Sequence, residues 1–298
     1  MKWKLLIGTL ALVAILIWLV VLSIPEKKLS LIACDVGQGD AILVTYGTTQ
    51  VLYDGGPNNK VLECLARYMP FWDRTIEVVV MSHPQKDHFF GLIEVFRRYN
   101  VGEFMTSGLG SSSQEYQVLA GLVGGSGAKV VNNASRVELG DSKIYLDVVH
   151  PTAEFLADSK VEESSGGTVL GSYTSNNDPN DFSVVVHLKY GEFDALLTGD
   201  IGPEVIDEIL ATGNITDVEY LKVPHHGSKN GLNSELLQAS TPEIAVISVG
   251  KNQWGHPHKE VLDLLKNAGV EVYRTDNLGD IVLTSDGKTW KVESSWGR

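Results

Sequence analysis

The stretch Met81-Ser82-His83-Pro84-Gln85-Lys86-Asp87-His88 decides how this chain reads. Ile76-Glu77-Val78-Val79-Val80 precedes it, an apolar, β-branched run expected as a buried strand. Leu92, Val95 and Phe96 follow at helical spacing within Gly91–Tyr99. Two histidines and an aspartate therefore fall in a short loop between a strand end and a helix, where a rigid scaffold gathers chemistry. Imidazole and carboxylate together suit Zn, Mn or Fe. One histidine alone would read as a polar turn capping the helix. His-x-x-x-Asp-His offers three donors and points to a metal.

Two further stretches point the same way. Leu196-Leu197-Thr198-Gly199-Asp200 ends an apolar strand in a carboxylate, and Leu221-Lys222-Val223-Pro224-His225-His226-Gly227-Ser228 ends another in two histidines. Three strand ends delivering His and Asp to one rim is how an α/β sheet assembles a metal site. Upstream lies Asp35-Val36-Gly37-Gln38-Gly39-Asp40. These four segments, in this order, resemble the metallo-β-lactamase-fold domain of the ComEC competence proteins. The resemblance runs from about Leu29 to the C-terminus.

The resemblance implies an αββα sandwich of two mixed sheets and one or two divalent metal ions, Zn or Mn. It implies that His83, Asp87, His88, Asp200 and His225 are metal ligands, with Asp200 bridging. Asp87 and His226 take catalytic roles, His226 facing substrate or orienting a ligand. Gln85 stands where these proteins usually carry Asp. An amide oxygen is a weak, neutral donor, so this departure weakens the first of the two metal sites. Gln85, Ser228, His256 and His258 are expected on the substrate side, the last two from Gly255-His256-Pro257-His258, which resembles a late segment of the family. A helix-capping role fits that loop equally well. Asp54-Gly55-Gly56 resembles a turn bordering the metals and also reads as an ordinary tight turn. His150, before Pro151, is a further candidate ligand, whereas mid-strand His187 reads as structural. The implied activity is metal-dependent phosphodiester hydrolysis, with DNA as the substrate that the resemblance alone suggests. Other phosphodiesters, or a binding protein with a degraded metal site, are the alternatives.

Composition limits these readings. The 298 residues carry 37 acidic and 24 basic side chains, a formal charge of −13. That balance argues against tight metal-free binding of nucleic acid, though a bound divalent cation reverses the field locally. Leu5 to Ile24 is an uncharged apolar run, long enough to cross a bilayer and lacking a clear small-residue cleavage site after it. Residues 1–28 therefore read as a membrane anchor and linker, and 29–298 as the hydrolase domain. Lys2 and Lys4 keep the N-terminus cytoplasmic. The body is then outside the cytoplasm, on a single-pass protein of the plasma membrane. The two cysteines, Cys34 and Cys64, read as buried free thiols, with a disulfide open to a protein outside the cell.

Further strands are expected at Leu31–Asp35, Ala41–Tyr46, Gln50–Tyr53, Glu219–Val223, Ile244–Val249, Glu271–Arg274 and Ile281–Thr284. Hairpins are expected at Ser135–His150 and Ser183–Leu197. Helices are expected at Asn59–Tyr68, Gln114–Val123, Pro203–Leu210 and Lys259–Ala268. The polar stretch Glu154–Asn180 reads as a mobile, substrate-shaping loop.

Overall fold

A computed structural model of the chain describes residues 2–22, 25–132, 136–141, 143–159, 161–163 and 170–297. Two sheets lie face to face. The first runs in the order Trp290–Ser294, Ile281–Ser285, Leu29–Ala33, Ile42–Tyr46, Thr49–Tyr53, Thr75–Met81, Asn100–Thr106, Lys129–Asn132. The second runs Glu271–Arg274, Ile244–Ile247, Tyr220–Lys222, Phe193–Leu197, Val185–Tyr190, Ile144–His150, Arg136–Leu139. Both mix parallel and antiparallel pairs.

Alternation along each strand explains the layering. Leu29, Leu31 and Ala33 enter the core between the sheets, and so do Val78 and Val80. Ile32, Val79 and Met81 point the other way, under the helices Lys60–Tyr68, Leu92–Arg98 and Gln114–Ser126. The helices Pro203–Ala211, Ser234–Ser240 and Lys259–Asn267 cover the far face of the second sheet. With both faces of each sheet buried, the central strands are nearly continuous apolar runs. This is the expected αββα sandwich. Tyr53 Oη donates to Val184 O at 2.7 Å and ties the sheets together above the core.

Asn100–Thr106, inside the first sheet, and two edge strands, Lys129–Asn132 and Trp290–Ser294, have no counterpart among the strands expected from the sequence. Asn100–Thr106 carries Gly102 and Glu103 in its half-exposed first part. The edge strands lack the signal for another reason. Half their side chains face solvent, so the apolar run that marks the central strands is missing. The described parts of the stretch 154–180 include regular structure that its composition does not suggest. A helix, Ala153–Asp158, opens with Thr152 accepting from Phe155 N, and Phe155 packs on His150 and Phe182. Residues 160 and 164–169 of that stretch lie outside the described residues, as do Ser135 of the expected hairpin and Ser23 and Ile24 of the apolar run.

The cysteines are not free thiols: Cys34 and Cys64 are joined in a disulfide, Cα to Cα 5.9 Å. Cys34 follows the strand Leu29–Ala33 and Cys64 faces it from the helix Lys60–Tyr68, so the bond staples that helix to the sheet. For a loop of this size the cross-link should stabilise the fold by about 3–4 kcal/mol. Denaturant midpoints of the wild type and a Cys34→Ser/Cys64→Ser variant measure it. An unchanged midpoint would show that the bond contributes nothing.

The N-terminal helix Lys2–Leu22 is long and apolar enough to cross a bilayer, and among the described residues none of its window Lys2–Leu19 is buried.

Candidate metal centre

The functional side chains sit where strands end. Thr75–Met81 leads into Ser82 and His83, Phe193–Leu197 into Asp200, and Tyr220–Lys222 into the Pro224–Gly227 turn. The short helix Lys86–Phe89 carries Asp87 and His88 over the same rim.

Four donors face one another there. His88 Nε2 and His226 Nε2 stand 3.2 and 3.3 Å from Asp200 Oδ2. Asp87 Oδ2 is 3.6 Å from His226 Nε2 and 4.0 Å from His88 Nε2. Donors arranged tetrahedrally at 2.0–2.2 Å from a cation stand about 3.4 Å apart, so these spacings fit one divalent ion. Both imidazole Nε2 atoms are buried with no hydrogen-bond partner, as expected of nitrogens directed at an ion.

The other ring nitrogens are held from behind. His88 Nδ1 lies 2.8 Å from Asp54 Oδ2, and His226 Nδ1 lies 2.9 Å from Ser248 O. Such outer partners fix ring orientation and raise the basicity of the inner nitrogen. Asp54 is itself clamped by Ser82 through its amide and hydroxyl, each at 2.7 Å. The Asp54-Gly55-Gly56 turn is therefore part of the site.

His225 and His226 exchange the places expected for them. His226, expected towards substrate, is buried among the donors. His225, expected as a ligand, is half-buried, its ring 5.6 Å from that of His256. The cause is the turn. Both residues have left-handed backbones, φ 51° and 53°, a conformation costly for any residue but glycine. This path swings the second side chain inward and the first outward. Asp54, at φ 60°, shares the strain.

Two residues of the site were not singled out by sequence pattern. Lys222 is wholly buried and its ammonium is ion-paired with Asp40, 3.3 Å from Asp200 Oδ1 and 2.7 Å from Gly199 O. A lysine inside an otherwise apolar strand was the available signal, since such residues are almost never buried unless paired. Asp40, the last residue of Asp35-Val36-Gly37-Gln38-Gly39-Asp40, can also be grouped with His88, Asp200 and His226 by distance, all within 4.8 Å. Its neighbours are the Nδ1 edges of the histidines, at 3.7 and 3.6 Å, and Lys222. Asp40 thus backs the rings, and Asp87 completes the donor set on the Nε2 side.

The charges are strongly coupled. Burial would raise Asp200 and Asp87, but His226, His88 and, for Asp200, Lys222 hold both well below the usual carboxylate range. Burial would lower His226, but Asp200 and Asp40 outweigh it and raise it to about 9. Burial, reinforced by the charge on His88, depresses His83.

The remaining candidates divide. His83 is buried 4.1 Å from the His88 ring, its Nδ1 beside Ser82 Oγ and Ser183 Oγ and its Nε2 without a partner. Its unpartnered Nε2 leaves it able to take a cation, the role expected for it. Gln85 is half-buried at the start of the Lys86–Phe89 helix. A Gln85→Glu variant should therefore reach full metal loading at lower Mn²⁺ than wild type, and Gln85→Asp should follow if the shorter side chain reaches. Metal titrations decide it, and identical curves for all three would put Gln85 outside the coordination sphere. Ser228 Oγ accepts from Asn230 N and so shapes its own turn. His258 occupies the N-cap of Lys259–Asn267 without a side-chain cap bond. His256 lies between His225 and His258, its ring lowered to about 4 by burial and by the neighbouring His225. His150 is occupied elsewhere, its Nε2 2.7 Å from Asp181 O. His187 sits 3.2 Å from Asp194 across its hairpin.

Comparison with known proteins agrees with the geometry. Over 103 residues the chain is 39% identical to ComE operon protein 3 of Bacillus subtilis, covering 34% of this chain and 13% of that protein. It is 24% identical over 254 residues to Recombination protein 2 of Haemophilus influenzae, covering 83% and 28%. It is 25% identical over 264 residues to Competence protein ComA of Neisseria gonorrhoeae, covering 86% and 32%. The chain thus spans less than a third of the length of these relatives. The metallo-β-lactamase fold protein YhfI from Bacillus subtilis superposes with a TM-score of 0.53 at 12% identity, covering 87% of this chain and 100% of that one. That likeness concerns the fold alone. Residues 34–251 match the family description of the metallo-β-lactamase superfamily. Since the match takes in most of the chain and the two facing sheets have the fold it calls for, this protein belongs to the metallo-β-lactamase superfamily.

Proposed function

We propose that the chain is a membrane-anchored, extracytoplasmic, metal-dependent phosphodiester hydrolase, a nuclease linked to DNA uptake. The observation that carries the reading is the convergence of Asp87, His88, Asp200 and His226 at spacings that suit one divalent ion. A cation held there supplies a water of lowered pKa and offsets charge developing on a phosphoryl oxygen. The chain's own part is to hold Asp200 ionised through Lys222 and to orient His88 and His226 through Asp54 and Ser248. His225 and His256, on the outer side of the donors, are placed for substrate.

The DNA assignment draws on the relatives named for competence and recombination. Residues 1–28 are the proposed anchor and 29–298 the hydrolase domain. The Cys34–Cys64 disulfide supports a location outside the cytoplasm, where such bonds persist. The net charge of −13 favours a second reading, a cell-surface phosphodiesterase with a non-nucleic-acid substrate. Purified full-length protein, loaded with Mn²⁺ or Zn²⁺, should be assayed on single-stranded DNA, duplex DNA and bis-p-nitrophenyl phosphate. Cleavage of DNA is the expected result. Cleavage of the small diester alone would move the assignment to the second reading, and metal binding without any hydrolysis would end both.

A further inference from the structure

Trp254 is an exposed aromatic side chain beside the site that the chemistry above leaves unused. The residue is 57% exposed, and its ring lies nearly parallel to His256, 29° between planes, with centroids 6.2 Å apart. From His256 the rings continue to His225 at 5.6 Å and to His226 at 6.3 Å, ending among the metal donors.

A single exposed tryptophan is ordinary on a protein surface. This one is held in place. Asn252 clamps its loop on both sides: Nδ2 donates to Gly250 O and His256 O at 2.9 Å, and Oδ1 accepts from Trp254 N at 3.1 Å and His256 N at 3.0 Å. Gly250 N donates to Gln38 Oε1 at 3.3 Å, and a Cβ at Gly250 would fall 2.5 Å from Gly37 C. His258 N donates to Gly227 O at 2.9 Å, docking the loop on the turn that presents His226. A rigid aromatic face loses little entropy when a flat group settles on it. Lys229 and Lys251, both exposed, belong to the same two segments, three residues from His226 and from Trp254 along the chain, and add positive charge to them in an acidic protein.

Fixed aromatic face, flanking cations and a phosphodiester site are the parts of a single-strand binding groove. We propose that Trp254 is a stacking platform for a nucleobase of a single-stranded nucleic acid whose scissile phosphate lies at the Asp87–His88–Asp200–His226 site. The inference rests on the phosphodiesterase reading and names its substrate class. Bases stack on an aromatic face whatever their identity, so the site takes single strands without sequence preference, and duplex, with its bases already stacked, binds less well.

The test uses the full-length chain in detergent with Ca²⁺, and fluorescence anisotropy of a labelled oligothymidylate against an abasic sugar-phosphate strand of equal length. Wild type should bind the base-bearing strand roughly ten-fold more tightly than the abasic one. Trp254→Ala should erase that preference, and Trp254→Phe should keep most of it. An unaltered thermal transition for both variants excludes unfolding as the cause. If Trp254→Ala keeps the preference, the inference is overturned while the hydrolase reading stands. If wild type hydrolyses bis-p-nitrophenyl phosphate yet shows no preference for the base-bearing strand, the inference also falls alone. If it hydrolyses nothing and binds neither strand, both fall.

Discussion

Asp200→Ala should abolish metal retention in a protein that still folds. Asp200 Oδ2 stands within 3.3 Å of both His88 Nε2 and His226 Nε2, so its loss opens the centre of the donor set. His226→Ala should do the same, and His225→Ala should not, because only the second histidine of the turn points inward. Affinity for Zn²⁺ or Mn²⁺ should fall more than about 100-fold for the first two, beyond what losing an outer partner costs. His187→Ala, at a hairpin remote from the donors, is the control. Metal content after dialysis and calorimetric titration give the answer. Loss of metal in His225→Ala with retention in His226→Ala would reverse the assignment. Binding should also depend on pH. Asp200 and Asp40 outweigh burial and keep metal-free His226 protonated up to about 9. A cation must displace that proton, so affinity should rise with pH towards 9 and loading should release protons. Apparent binding enthalpies in buffers of different ionisation enthalpy report that release.

Lys222→Met should be the most destabilising single change at the site. The ammonium is wholly buried and ion-paired with Asp40, and it lies 3.3 Å from Asp200. Methionine matches its length but removes the ammonium paired with Asp40, leaving that buried carboxylate only the more distant Nδ1 edges of His88 and His226 at 3.7 and 3.6 Å. Breaking such a pair from one side costs about 3–5 kcal/mol, whereas replacing both members is often nearly neutral. Lys222→Met/Asp40→Asn should therefore recover much of the loss. Denaturant midpoints of the two variants and wild type provide the comparison. A single variant as stable as wild type would show that the pair does not hold the site together. The same substitution removes a charge that keeps Asp200 ionised, so metal affinity should drop even in the more stable double variant.

The sequence alone determined the layers and the strand ends. Central strands such as Thr75–Met81 and Ile244–Ile247 are buried on both faces, and burial of that kind writes itself locally as an apolar, β-branched run. The turns at Asp200 and Pro224–Gly227 follow such runs directly, so Asp87, His88 and Asp200 were legible as candidate donors from their places along the chain. Lys129–Asn132 and Trp290–Ser294 were not legible, because edge strands are half-solvated and lack that signature, and the interior strand Asn100–Thr106 was missed because Gly102 and Glu103 interrupt its apolar run.

Only the tertiary structure decided what crosses between segments. Which histidine of Pro224-His225-His226-Gly227 turns inward depends on two left-handed residues and on Ser248 O, just past the end of the strand Ile244–Ile247. Asp40 and Lys222 lie far apart in the chain and form one ion pair only when the two sheets close. Cys34 and Cys64 become a disulfide because a helix packs on a strand at 5.9 Å between Cα atoms. Periodicity and spacing describe neighbours along the chain. The direction of a side chain and the partner of a buried charge are set by packing against elements distant in sequence, and no local pattern carries that information.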